Sequence, residues 1–152
     1  MKAADLLAYR EHSEAELKQK LLARHYTAAE VDETIDKLKQ HNYLDDEELC
    51  RQQFENFYSD GRLSVRRIVA KLIQRGFDKD FIEQLIPEDF YEHELQAATS
   101  ALTKKFKSTD DKNFRVKAWQ FLSGRGFDGE IISAAIENFV GNSLKIFIRT
   151  AD

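Results

Sequence analysis

Apolar residues recur at helical spacing in three stretches of this chain, at residues 17–35, 68–86 and 118–136. In each stretch the apolar positions lie on both sides of a short turn. In the second and third stretches the turn has the same sequence, Arg-Gly-Phe-Asp, at residues 75–78 and 125–128. The pattern predicts a pair of amphipathic helices in each stretch, joined by the same tight connection.

The tetrapeptide Arg-Gly-Phe-Asp contains the residue types that end one helix and begin the next. A basic residue in a last helical turn offsets the helix dipole, and glycine takes the left-handed position that follows. The aromatic residue packs back on the helix, and aspartate caps the next one. Gly76 and Gly126 are therefore expected at positive φ, and His25 occupies the same position in the first stretch.

The three stretches align without gaps at a repeat of 51 and then 50 residues, with apolar, turn and cap positions matching together. A leading helix is expected before each stretch, at residues 2–11, 45–59 and 90–106. Three helices in each of three units give about nine helices in total. We therefore predict an all-α fold of three tandem three-helix repeats that form an elongated, curved array.

The predicted repeat boundaries are residues 1–42, 43–88 and 89–140. Pro87 ends the last helix of the second repeat, because proline cannot continue a helix. Residues 141–152, with the sequence GNSLKIFIRTAD, follow the third repeat as a C-terminal tail outside the pattern. The sequence leaves open whether the apolar side chains of this tail pack on the chain, exchange with another copy or stay free.

Composition narrows the class of protein. The 152 residues are 42% hydrophobic and 33% charged, with one proline and one cysteine, which is typical of a helical protein and not of a disulfide-rich or disordered one. The single cysteine indicates a reducing compartment. Residues 1–16 lack the apolar run of a signal peptide or a membrane span. We therefore expect a cytoplasmic protein without membrane contact.

The net charge is −4, but the charges are grouped. Residues 61–79 hold six basic residues and one acid, and residues 97–126 hold seven and two, whereas residues 80–96 hold six acids and no lysine or arginine. Two basic zones in an acidic chain predict contact with nucleic acid or with an acidic protein surface. The candidate partner-binding residues are Arg62, Arg66, Arg67, Lys71, Arg75, Lys104, Lys105, Lys107, Lys112, Arg115, Lys117 and Arg125. For each one alone, the alternative is an ordinary solvated or helix-terminal side chain.

No catalytic or metal-binding pattern emerges from the sequence. The histidines have no metal-ligand spacing, and we expect them at the surface or in turns: His12, His25, His41 and His93. Cys50 lies among the apolar positions of a helix, which favours a buried packing residue over a nucleophile. We therefore expect a protein without enzymatic activity, metal or cofactor.

Four motifs in order along the chain resemble the RecX family of recombination regulators. They are YREHSEAELKQKL at 9–21, NYLDDEELCRQQF at 42–54, RRIVAKLIQRGF at 66–77 and KAWQFLSGRGF at 117–127. The resemblance covers about residues 3–140. Relatives often have Gly-Pro before the middle helix of the second repeat, where this chain has Gly61 and Arg62, and we expect Ser64 to cap that helix instead.

The resemblance implies a non-catalytic regulator that binds the RecA filament on single-stranded DNA. Such a regulator modulates, and typically inhibits, the ATPase, strand-exchange and SOS co-protease activities of RecA, and so acts in recombination, DNA repair and the SOS response. We expect a monomer that contacts RecA, either with or without direct DNA contact through its basic zones. Two other functions stay open: a helical-repeat scaffold for a different protein partner, and a repeat protein that binds DNA directly.

Overall fold

The computed structural model describes Asp5 and residues 11–151, and every regular element among them is helical. The helices are α1 (Glu14–Ala23), α2 (Ala28–Gln40), α3 (Asp46–Asp60), α4 (Val65–Gln74), α5 (Lys79–Leu85), α6 (Phe90–Lys105), α7 (Phe114–Gly124) and α8 (Gly129–Thr150). The all-α prediction is confirmed. Eight helices lie in the described part of the chain against about nine expected. The helix expected at residues 2–11 falls outside the described residues except for Asp5 and Glu11.

Polar side chains fix the helix starts where the sequence predicts them. Thr27 Oγ1 accepts a hydrogen bond from the Glu30 N–H at 3.3 Å, and the Glu30 carboxylate accepts one from the Thr27 N–H at 2.8 Å. Ser64 accepts from Arg67 N–H at 3.1 Å, so it caps α4 as expected. Asp128 accepts from the N–H groups of two residues in the first turn of α8. Each such cap contributes about 1 kcal/mol to helix stability.

The chain divides into two compact units. The first comprises Met1–Glu55 and Val69–Leu85, and the second comprises Asn56–Ile68 and Ile86–Asp152. Helices α3 and α4 therefore each contribute residues to both units. In the first unit, a buried cluster joins α1 and α2 through Leu17, Leu21, Val31, Ile35, Leu38 and Leu44.

The core of the second unit is built from α6, α7 and α8. Phe114 stacks on Phe139 with 5.2 Å between the ring centroids, and it meets the edge of Phe106 at 5.3 Å. Alanines on α6, such as Ala98, are fully buried and have little side-chain volume. Large aromatic side chains and small alanines together fill this core. Burying each phenylalanine contributes about 1.5–3 kcal/mol to the stability of the fold.

Helix α8 runs on through most of the expected C-terminal tail. Its first half is buried in the core of the second unit, from Ile131 to Phe139. Further on, Leu144, Phe147 and Ile148 are 59–73% exposed. With a mean hydropathy of 1.3, α8 is the one helix of the described residues long and apolar enough to cross a membrane. The first half of α8 packs in the core of the second unit, and 28% of the most apolar stretch of the helix is buried.

The repeated turn has the predicted backbone. Gly76 and Gly126 both have φ of +89°, and His25 has φ of +67°. In each turn the N–H of the following aromatic residue bonds back to a helix carbonyl, as Phe77 N–H does to Leu72 O at 3.2 Å. The left-handed position therefore recurs in all three stretches, and in the first stretch a residue with a Cβ atom occupies it.

In the first unit, the turn at Gly76 lies against the beginning of α1. A Cβ atom at Gly76 would overlap the Ala15 methyl group. The hydroxyl of Ser13, which caps α1, donates a hydrogen bond to Arg75 O at 2.5 Å. Positive φ and close approach thus both require glycine at this position.

In the second unit, the turn at Gly126 lies against the beginning of α4 in the same way. A Cβ atom at Gly126 would come to 2.7 Å from Ser64 Oγ and 3.1 Å from Arg67 Cβ. His25, by contrast, is exposed, so its Cβ meets no such limit. Each Arg-Gly-Phe-Asp turn therefore packs against the serine that caps another helix.

We expect Gly76→Ala and Gly126→Ala each to lower the free energy of unfolding by about 2–4 kcal/mol, because a left-handed alanine and an overpacked contact add their penalties. Gly141→Ala is the matched control. It lies inside α8 with no atom within 4 Å of its Cβ position, so we expect a neutral or slightly stabilising change.

Denaturant unfolding monitored by circular dichroism measures the free energy of unfolding of these three variants. We expect His25→Gly, measured in the same way, to be slightly stabilising, because glycine adopts the left-handed conformation without the steric cost of a side chain. Turn variants no less stable than the Gly141→Ala control would contradict the close packing at both glycines.

Candidate functional site

Arg75, one of the predicted partner-binding residues, is engaged inside the first unit. Its Nε donates to Glu16 Oε1 at 2.9 Å and one terminal nitrogen donates to Glu16 Oε2 at 3.0 Å. The same terminal nitrogen bonds to Glu11 O at 3.2 Å. The hydrogen bond with Glu16 raises the pKa of Arg75 above its ordinary value. Arg75 thus joins the turn at Gly76 to the first turn of α1.

Arg125 occupies the equivalent position in the second unit but has a different environment. Its guanidinium lies over the Phe121 ring, 4.5 Å from the centroid, and donates to Arg62 O at 3.3 Å. In the repeat alignment, the position of Glu16 is occupied by Arg67. The carboxylate that binds the arginine in the first unit therefore has no counterpart in the second.

A cleft of about 720 Å³ in the second unit brings together basic residues from both zones of the sequence. We call it the basic cleft, and its charged and aromatic lining comprises Asp60, Arg62, His93, Lys104, Lys105, Phe121 and Arg125. Asp60 is its one acid within the described residues, and Asp60 Oδ2 lies 3.0 Å from Arg62 Nε. Lys104 and Lys105 have no acidic partner within the described part of the chain. The cleft is therefore electropositive.

The other predicted residues do not gather at one place. Arg115 pairs with Glu137 at 2.6 Å, and Lys117 pairs with Asp111. The remaining side chains of the predicted set outside the cleft are exposed: Arg66, Arg67, Lys71, Lys107 and Lys112. Because Arg75 is bound by Glu16, the exposed basic side chains on α4 are those of Arg66, Arg67 and Lys71.

The expectation for the histidines was wrong at His12, which is 4% exposed and lies 2.6 Å from Lys20 Nζ. His93 stacks on Tyr58 with 3.8 Å between centroids and lies within hydrogen-bonding distance of Tyr58 O. No group of three potential metal ligands occurs among the residues that the structure describes. The burial of His12 and the stacking of His93 result from tertiary packing, which the spacing of residues in the sequence does not predict.

Cys50 is fully buried, as its place on an apolar-periodic helix predicts. Burial raises the pKa of its thiol to about 11. A thiol in this state is protonated at neutral pH and reacts slowly, because the thiolate is the nucleophile. The geometry is that of a packing residue.

Glu94 on α6 is a buried carboxylate that sequence reasoning missed. It is 5% exposed and accepts a hydrogen bond from the N–H of Val65, the first residue of α4. Burial raises the pKa of Glu94 above its ordinary value of 4.5, with Asp128 adding to the effect. Its spacing to the buried alanines Ala97, Ala98 and Ala101 places it on the buried face of α6, and this was the overlooked signal.

Because the pKa of Glu94 is raised in the folded state, this carboxyl group stabilises the fold fully below pH 4.5. That contribution to stability is lost as the pH rises through the folded-state pKa. Glu94→Gln keeps an acceptor for Val65 N–H but does not titrate. We therefore expect this variant to gain in melting temperature relative to the parent protein as the pH rises from 4.5 to neutral.

Thermal melts across that pH range measure the difference between the two proteins. Glu92→Gln, on the exposed side of the same helix, is the control and should give no such trend. A constant difference between Glu94→Gln and the parent protein at all pH values would contradict the burial of a charged Glu94.

Comparison with known proteins identifies similar sequences over most of the chain. The family profile described as "RecX, first three-helix domain" matches residues 1–38, and that described as "RecX, third three-helix domain" matches residues 92–136. The chain is 34% identical over 139 residues to "Regulatory protein RecX" of Vibrio parahaemolyticus, covering 88% of this chain and 86% of that protein. It is 33% identical over 125 residues to the protein of the same name from Thermus thermophilus, covering 82% and 80%.

A solved structure has the same fold. The crystal structure of RecX from Lactobacillus salivarius superposes with a TM-score of 0.73 over 90% of this chain and 91% of that one, at 19% identity. At this level of identity the likeness concerns the arrangement of helices alone.

Proposed function

The chain belongs to the RecX family of regulatory proteins, and from this premise we propose that it binds the RecA recombinase filament on DNA and inhibits its activities. The affected activities would be DNA-dependent ATP hydrolysis, strand exchange and the SOS co-protease function. We propose that the protein does this in the cytoplasm, as a monomer and by binding alone, without catalysis.

The basic cleft is the observation that carries this proposal. Two basic zones that are separated in the sequence by an acidic segment contribute Arg62, Lys104, Lys105 and Arg125 to one concave surface. A filament of protein on DNA presents phosphates and acidic side chains, and a positive concave surface attracts both. The exposed residues Arg66, Arg67 and Lys71 add positive charge on α4.

The predicted set separates into residues suited to binding and residues suited to folding. We propose that the basic cleft and the exposed side chains Arg66, Arg67, Lys71, Lys107 and Lys112 meet the filament. We propose a mainly structural role for Arg75, because its guanidinium donates hydrogen bonds to the Glu16 carboxylate and to Glu11 O. Arg115 and Lys117 pair with acids of their own unit. We propose that they add to the positive charge of the surface but do not make the main contacts with the filament.

We also propose the repeat boundaries at residues 1–42, 43–88 and 89–140 as the functional units of the chain. The turns at Gly76 and Gly126 each pack on a serine-capped helix start, and this common contact supports an origin from one repeated unit. Residues 141–150 of the expected tail would then be an extension of the last helix of the third repeat.

The proposal predicts that the protein slows DNA-dependent ATP hydrolysis by RecA. We expect Lys104→Glu with Lys105→Glu to raise the concentration needed for half-maximal inhibition by about tenfold, because charge reversal at an exposed contact weakens association. Both lysines are exposed, so the variant should keep its helical circular dichroism.

Lys145→Glu with Arg149→Glu is the matched control, since it makes the same change in charge at exposed positions of α8 outside both basic zones. Equal losses in the two variants would point to net charge and not to the cleft. Unchanged ATP hydrolysis at saturating parent protein would contradict the proposed function and favour a scaffold for another protein partner.

A further inference from the structure

The basic cleft has the size of a binding site. Its volume of about 720 Å³ lies within the range of roughly 300–1,000 Å³ that is usual for ligand clefts. Its walls come from the end of α3, the outer face of α6 and the end of α7, all in the second unit. Gln96 and Ser100 on α6 line it beside the basic residues and supply neutral hydrogen-bonding groups. A ligand here would meet a fixed set of donors on a helical frame.

The first unit shows which anionic group suits the arginine of this turn. There, Glu16 holds the guanidinium of Arg75 through two parallel hydrogen bonds of 2.9 and 3.0 Å. In the second unit the equivalent position is Arg67, and Arg125 has no carboxylate partner within the described residues. The same turn therefore presents an arginine whose usual carboxylate partner is missing.

The aromatic groups of the cleft are already engaged. The Phe121 ring carries the guanidinium of Arg125 at 4.5 Å, and Lys105 Nζ lies 5.8 Å from its centroid. The imidazole of His93 stacks on Tyr58. Sites for single-stranded nucleic acid combine a basic groove with open aromatic faces on which bases stack. The basic cleft offers charge without such free stacking platforms.

Acidic residues lie next to the basic cleft. A neighbouring cleft shares His93, Gln96 and Ser100 with it and is lined by Asp89 and Glu92. A continuous phosphate backbone that left the basic cleft in this direction would approach two carboxylates, which repel it. A short anionic segment that ends in or passes only through the basic cleft avoids this repulsion.

Building on the proposed function, we propose that the basic cleft binds an acidic peptide segment of the protein partner and not the DNA. A glutamate or aspartate of the segment takes the place at Arg125 that Glu16 takes at Arg75. Further carboxylates meet Lys104 and Lys105, and Gln96 and Ser100 bond to peptide groups. The second unit thus uses as a docking site the arginine that the first unit uses to hold its own fold.

Arg67→Glu tests this directly, because it restores to the second unit the carboxylate found in the first. We expect the new glutamate to bind Arg125, raise the melting temperature and weaken binding of an acidic peptide by about tenfold. The probe is a short fluorescein-labelled peptide of glutamate and glycine, measured by fluorescence anisotropy with the intact chain. A labelled single-stranded oligonucleotide of mixed sequence is titrated in parallel.

Lys145→Glu is the charge control, since it makes the same charge change at an exposed residue of α8 outside both basic zones. It should weaken peptide binding far less and leave the melting temperature unraised. Arg125→Gln removes the cation without adding an acid, and it should also weaken peptide binding by about tenfold.

Equal weakening by Lys145→Glu and Arg67→Glu, or no saturable peptide binding by the parent protein, would overturn the proposal. A stronger effect of Arg125→Gln on the oligonucleotide than on the peptide would assign the cleft to nucleic acid instead. None of these titrations contains RecA, so failure of the docking proposal is seen separately from failure of the proposed function.

Discussion

In each unit, a turn with glycine at its left-handed position lies against the serine that caps another helix. Gly76 packs on the start of α1 at Ser13 and Ala15, and Gly126 packs on the start of α4 at Ser64. The serine satisfies a free N–H group at the start of its own helix. A Cβ atom in the turn would meet the first residues of that helix, the Ala15 methyl group at Gly76 and Ser64 Oγ at Gly126. Helix ending, helix capping and packing between helices therefore depend on the same few atoms.

The same turn sequence places its arginine in two different environments. In the first unit the arginine before glycine is held by Glu16, so its charge is satisfied within the fold. In the second unit a basic residue, Arg67, replaces that glutamate, and Arg125 lies at the edge of the basic cleft. A change of one residue type at a matched position thus separates an arginine held by a carboxylate of its own unit from one that has no carboxylate partner within the described residues.

The sequence predicts those features that depend on neighbouring residues. The helices, their capping residues, the turns and the positive φ at His25 follow from local patterns, because capping and turn geometry are fixed within a few residues. The pair of Arg75 with Glu16 joins residues 59 positions apart, and the basic cleft combines four separate segments, so neither is visible in local spacing. The burial of Glu94 was not predicted, although its helical register with the buried alanines of α6 places it on the buried face of that helix.

A double-mutant cycle at Gly126 and Ser64 tests the packing of turn against cap most directly. Ser64→Ala removes the hydroxyl that a Cβ at Gly126 would meet at 2.7 Å, so it should relieve part of the damage caused by Gly126→Ala. We predict that the double variant loses less stability than the sum of the single variants, by about 1 kcal/mol or more. Losses that add to within about 0.3–0.5 kcal/mol would mean that the two residues act independently and would contradict the account.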